Sequence, residues 1–177
     1  MRYLAKRIVA FVAILLMTVP VMAQYYDIGN EPVGIKWKTM RSKNFSILFP
    51  DSTSFSKYSR VGNGYGKYLE KTAARYLAMV ERSYGMHADS VRFTYGIPSK
   101  FPMVIHPFNA KSNGVTVWGP RQIDYFSLPS TEIISTEPWD VSLATHEGRH
   151  AWQMAHFNKG IFKVLYWFAG DNVIGAA

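Results

Sequence analysis

His146, Glu147 and His150, within Leu143-Ala144-Thr145-His146-Glu147-Gly148-Arg149-His150-Ala151-Trp152-Gln153, have the types and spacing for metal-assisted hydrolysis. On an α-helix, residues four apart sit one above the other. The two histidines can therefore close on a single metal ion, for which zinc is the usual occupant. Glu147 stands beside them as a base for a metal-activated water, with the proton passing on to a leaving amine. The chain has no cysteine, so a metal must be held by histidine and carboxylates. The blander alternative is a helix in which the histidines only hydrogen-bond and Glu147 pairs with a nearby Lys or Arg. Five histidines in 177 residues make a chance pair ordinary.

The motif needs a helix to position it, and the flanking residues supply one. Thr136 is a candidate N-cap, Glu137 and Asp140 put negative charge near the first turn, and Pro138 is tolerated where its missing N–H has no partner. The helix is expected from about Pro138 to Phe157. Trp139, Leu143, His146, His150 and Met154 share a face and its flank, which predicts histidines turned inward to a packed seam. Gly148 weakens the helix and implies a close approach, expected across the cleft.

A catalytic zinc takes three protein ligands and a water. His156 lies at a tempting spacing, but Gln153 stands where a turn would need glycine. On a continuing helix, His156 is about 9 Å further along the axis than His150 and rotated off its face. Asp171 is a second candidate, although Gly170 before it signals a helix end. The third candidate, and the preferred one, is a ligand beyond Ala177.

The N-terminus carries Arg2, Lys6 and Arg7, an apolar run from Ile8 to Val21 and a small residue at Ala23. These features predict a signal peptide over residues 1–23 and an exported protein, periplasmic, outer-membrane-associated or secreted. Removing three basic residues lowers the formal charge from +8 to +5. No run of five Lys or Arg occurs, so a nucleic-acid partner is not expected. Residues 24–177 suffice for one domain, and the end at Ala177 reads as that of a fragment lacking its C-terminal part.

Gly34–Met40 and Asn44–Phe49 alternate apolar with polar residues as half-buried strands of a hairpin. Lys67–Tyr84 carries an apolar stripe of Leu69, Thr72, Ala73, Tyr76, Met79 and Val80, with Gly85 expected to end that helix. A buried strand is expected around Phe101–His106, with His106 making a local hydrogen bond. Two more strands are expected at Val115–Trp118 and Ile123–Phe126, the later one last before the motif helix; in zincin folds the strand nearest that helix is typically an edge that aligns a substrate, which makes this strand the expected one. Lys159–Phe168 is basic and apolar, too short to span a bilayer, and reads as a packed helix before a membrane-surface one. The fold class is α+β.

The chain resembles exported bacterial gluzincin-type proteins, in which a peptidase-like domain precedes a β-propeller. The resemblance rests on Asn44–Pro50, Phe101–His106, Ser112-Asn113-Gly114 through Trp118-Gly119-Pro120-Arg121 to Phe126, and Leu143–Gln153. It implies a zincin-like fold, with a small mixed or antiparallel sheet, a backing helix and the motif helix. It also implies zinc on His146 and His150, Glu147 as base and a glutamate ligand on a later helix. The Gly-x-Met-x-Asn motif of related aminopeptidases is absent, so exopeptidase activity is not implied. Two functions follow as expectations. One is a zinc-dependent peptidase acting on a peptide or protein substrate; the other is a non-catalytic binding or scaffold module at the cell envelope that associates with a membrane without spanning it.

Overall fold

The computed structural model describes residues 6–7, 31–54, 63–90, 100–109, 111–118, 121–127 and 136–169. The signal-peptide expectation falls almost wholly, and Asp171 wholly, outside them. Among the described residues, five strands and three longer helices make a mixed α/β arrangement: β1 (Trp37–Arg41), β2 (Phe45–Pro50), α1 (Asn63–Ser90), β3 (Phe101–His106), β4 (Gly114–Trp118), β5 (Arg121–Phe126), α2 (Trp139–Phe157) and α3 (Gly160–Ala169).

The strands form one sheet in the order β1-β2-β3-β5-β4. β1 pairs antiparallel with β2, β2 and β5 flank β3 in parallel, and β4 returns antiparallel to β5. The hairpin read from alternation is thus present. Its turn is tied to α1 by Glu81, which accepts from Ser42 Oγ at 2.5 Å, the Asn44 backbone N–H at 3.1 Å and the Asn44 side-chain amide.

Alternation sends Phe45, Ile47 and Phe49 of β2, Phe101, Met103 and Ile105 of β3, and Ile123 and Tyr125 of β5 to one face. There they meet Leu69, Ala73, Tyr76 and Val80 of α1 and Leu143, Ala144 and Ala151 of α2. Each large side chain so buried contributes about 1.5–3 kcal/mol against leaving it in water. The Tyr76 and Tyr125 rings stack with centroids 4.3 Å apart, tying α1 to β5.

α1 continues to Ser90, past the expected stop. Gly85 is interior to it, where a glycine costs about 1 kcal/mol against alanine and weakens the helix without ending it. α2 begins at Trp139 with Pro138 as N-cap and no side-chain cap, so Thr136 does not cap it. Instead the Pro138 carbonyl accepts from both Val141 and Ser142, and Asp140 Oδ1 accepts from the Val141 backbone N–H. Arg75 of α1 reaches Asp140 at 2.7 Å, tying the start of α2 to α1.

α3 departs from its expected packing. Ile161, Phe162, Val164 and Leu165 are all at least 41% exposed, while Tyr166 is packed against the core. The chain reaches α3 through Gly160 at φ +51°, a left-handed conformation that suits glycine. No helix among the described residues is long and apolar enough to cross a membrane.

Candidate metal and acid-base site

The core-facing stripe of α2 is Leu143, Ala144, Glu147, Gly148, Ala151 and Ala155. Small side chains dominate it, so α2 lies close on α1. A Cβ added at Gly148 would stand 3.4 Å from Val80 Cγ1. The approach that Gly148 permits is therefore helix on helix, where the sequence pointed across the cleft. With small residues inward, the histidines are rotated outward: His146 is exposed and His150 half-buried. This reverses the expected inward seam and puts both rings on a cleft wall.

The two rings meet at their Nε2 atoms. His146 Nε2 and His150 Nε2 are 3.0 Å apart, with the rings nearly perpendicular at 86°. Two nitrogens on a tetrahedral zinc with bonds of 2.0–2.1 Å would stand about 3.3 Å apart, so the pair needs only a small opening to share an ion. His150 Nδ1 faces Gln153 Oε1 at 3.1 Å.

Glu147 is the buried member, with 3% of its surface exposed. A carboxylate out of water is costly unless it is hydrogen-bonded. Thr116 of β4 meets that need: its hydroxyl lies 2.7 Å from Glu147 Oε2 and 3.0 Å from the Glu147 carbonyl oxygen. Its partner is thus a hydroxyl from the sheet, not a Lys or Arg. Space for the carboxylate comes from Gly114, where an added Cβ would lie 2.7 Å from Glu147 Cγ. The Ser112-Asn113-Gly114 signal therefore does more than turn the chain.

The strand beside the motif helix is β4, not the later strand expected to align a substrate. β5 lies inside the sheet between β3 and β4. The β4–β5 hairpin sends the earlier strand outward, and no further strand pairs with β4 among the described residues. Between β4 and α2 opens a cleft of about 640 Å³, lined by Asn113–Thr116, His146, Glu147, His150, Gln153, Met154 and Phe157.

The other sequence candidates lie apart from this cleft or outside the described residues. α2 continues through His156, whose ring stacks on Trp152 at 5.7 Å and whose Nδ1 is 3.1 Å from Lys159 Nζ. Partial burial and the nearby Lys159 charge lower its pKa. No group of three or more His, Asp or Glu that could hold a metal occurs among the described residues.

His106 does not make a local bond. It lies on the opposite face of the sheet, 4% exposed, between two carboxylates: Nε2 is 2.9 Å from Asp124 Oδ1 and Nδ1 is 2.5 Å from Glu31 Oε1. Burial works against its charge, but hydrogen bonds to Asp124 and Glu31 outweigh it and raise its pKa. Asp124 is fully buried and also accepts from the Gln122 amide at 2.8 Å. Strand alternation signals that His106 and Asp124 share a face only once β3 and β5 are known to be neighbours. Thr116 and Gln153, which hold Glu147 and His150, likewise carry no motif that would have singled them out.

No protein-family model, curated protein or solved structure matches this chain.

Proposed function

We propose that the chain is a zincin-like, zinc-dependent peptidase domain of an exported protein, with His146 and His150 as metal ligands and Glu147 as general base. The observation that carries this reading is the convergence of the two Nε2 atoms, 3.0 Å apart, at a cleft that also contains the carboxylate of Glu147. The mixed sheet, with an antiparallel edge strand beside the motif helix, supports it. Zinc, when bound, would supply Lewis acidity toward a scissile carbonyl and toward water. Glu147 would take the proton of the attacking water and deliver it to the leaving amine, held meanwhile by Thr116. The edge of β4, paired by no further strand among the described residues, suits main-chain pairing with an extended peptide. A third protein ligand must come from outside the described residues, Asp171 being the candidate within the chain.

The test uses the full-length product, measuring zinc stoichiometry and peptide hydrolysis. One zinc per chain, lost in His146→Ala and His150→Ala, is expected. Glu147→Gln should keep the metal and lose hydrolysis by about 10²–10⁴-fold. Absence of zinc, or hydrolysis unchanged by Glu147→Gln, refutes the reading.

The exposed apolar side chains of α3 favour a second reading, a non-catalytic module of the cell envelope. Binding to vesicles or to an envelope partner, without hydrolysis by the full-length product, would select it.

A further inference from the structure

The zinc reading leaves open how His150 is oriented and which of its nitrogens carries the proton. Gln153 lies three residues beyond His150 on α2, on the same side of the helix, and both line the cleft. Its amide oxygen is an acceptor only, so a hydrogen bond across the 3.1 Å to the ring requires hydrogen on His150 Nδ1. A neutral imidazole protonated at Nδ1 has its lone pair at Nε2. That lone pair points toward His146 Nε2 at 3.0 Å, which then donates the hydrogen between the two rings. Histidines that ligate metals usually give their other N–H to an oxygen acceptor, which fixes both tautomer and ring orientation.

We propose that Gln153 is a positioning residue that holds His150 as the Nδ1–H tautomer and so presents Nε2 for metal binding. The role in metal binding rests on the zinc reading; the tautomer does not. Because Gln153 and His150 share one helix, the contact needs no other element in place. An amide acceptor orients the ring without adding the negative charge that a carboxylate would bring.

The tautomer is read directly from long-range ¹H–¹⁵N correlations of the metal-free, full-length protein, which also distinguish a neutral ring from a protonated one. His150 is expected as Nδ1–H in the wild type and in Gln153→Glu, which keeps an oxygen acceptor, and as a mixture or Nε2–H in Gln153→Leu. In zinc titrations, Gln153→Leu should bind about 10- to 100-fold more weakly, with Gln153→Glu restoring affinity. A denaturation curve for each variant separates lost folding from lost orientation. Wild-type His150 found as Nε2–H, or a tautomer unmoved by Gln153→Leu in a folded protein, overturns the inference. So does a zinc affinity unchanged by that variant. If no form binds zinc but the tautomer responds as expected, the positioning role stands and the zinc reading falls.

Discussion

Thr116 on the edge strand β4 holds Glu147 on helix α2 by its side chain: one hydroxyl stands 2.7 Å from Oε2 and 3.0 Å from the main-chain oxygen of the same residue. Its single proton serves one of these acceptors at a time. This contact joins sheet to motif helix and gives a buried carboxylate its donor. Thr116→Val keeps the shape and removes the donor. It should cost about 1–3 kcal/mol, the penalty for leaving a buried acceptor unsatisfied, read as a lower urea midpoint with unchanged slope. An unchanged midpoint would show that water replaces the hydroxyl.

Two glycines near Glu147 should respond oppositely to alanine. At Gly114 the new methyl would lie 2.7 Å from Glu147 Cγ, so the carboxylate must shift, with a stability loss of about 1–3 kcal/mol. Under the proposed zinc-peptidase reading, hydrolysis should fall while zinc uptake by the histidine pair is kept. At Gly148 the nearest atom would be Val80 Cγ1 at 3.4 Å, at the tight end of ordinary contact, while the helix gains about 1 kcal/mol from alanine. Gly148→Ala should therefore be neutral or mildly stabilising. Thermal melts of the two variants check the contrast.

His106 makes stability depend on pH. Its folded-state pKa is raised: burial opposes the charge, and the hydrogen bonds to Asp124 and Glu31 overcome it. A raised value means that the folded protein holds the proton more tightly than the unfolded chain. The contribution is then fully present below the unfolded value of about 6.5 and is lost as pH rises through the folded value. Denaturant midpoints measured upward from about pH 6 should fall in the wild type and change less in His106→Gln.

Tyr125 presents the converse of Thr116. Its hydroxyl is buried without a hydrogen-bond partner among the described residues. Burial first, then the negative charge of Glu147, push its pKa well above the ordinary tyrosine value. Tyr125→Phe keeps the ring stacked on Tyr76 and removes the unsatisfied group, so stability should stay equal or rise by up to about 1 kcal/mol. A loss of stability, measured by urea unfolding, would reveal a partner for the hydroxyl.

Much of this organisation is legible in local pattern. Alternation along Asn44–Phe49 and the proline-bounded apolar run Phe101–His106 mark two strands, and the 3.6-residue stripe from Leu69 to Val80 marks the inner face of α1. The span of α2 follows from its first turn and its periodicity, to within one residue. The role of Gly85 and the cap at Thr136 were misread locally: a glycine weakens a helix without having to end it, and the Pro138 carbonyl, not a side chain, serves the first turn of α2.

His146, Glu147 and His150 are set by the sequence: helical spacing alone stacks the two histidines and puts a carboxylate next to them. Which of the three is buried was decided by the tertiary structure. Local periodicity tells which residues share a face, but not which face meets a neighbour. That depended on the small stripe of α2 closing on Val80, which turned Glu147 toward Thr116 and left the histidines at the cleft. The order of strands was also non-local: hydrogen bonding of β5 between β3 and β4, unmarked in either strand's own residues, put the earlier strand on the edge.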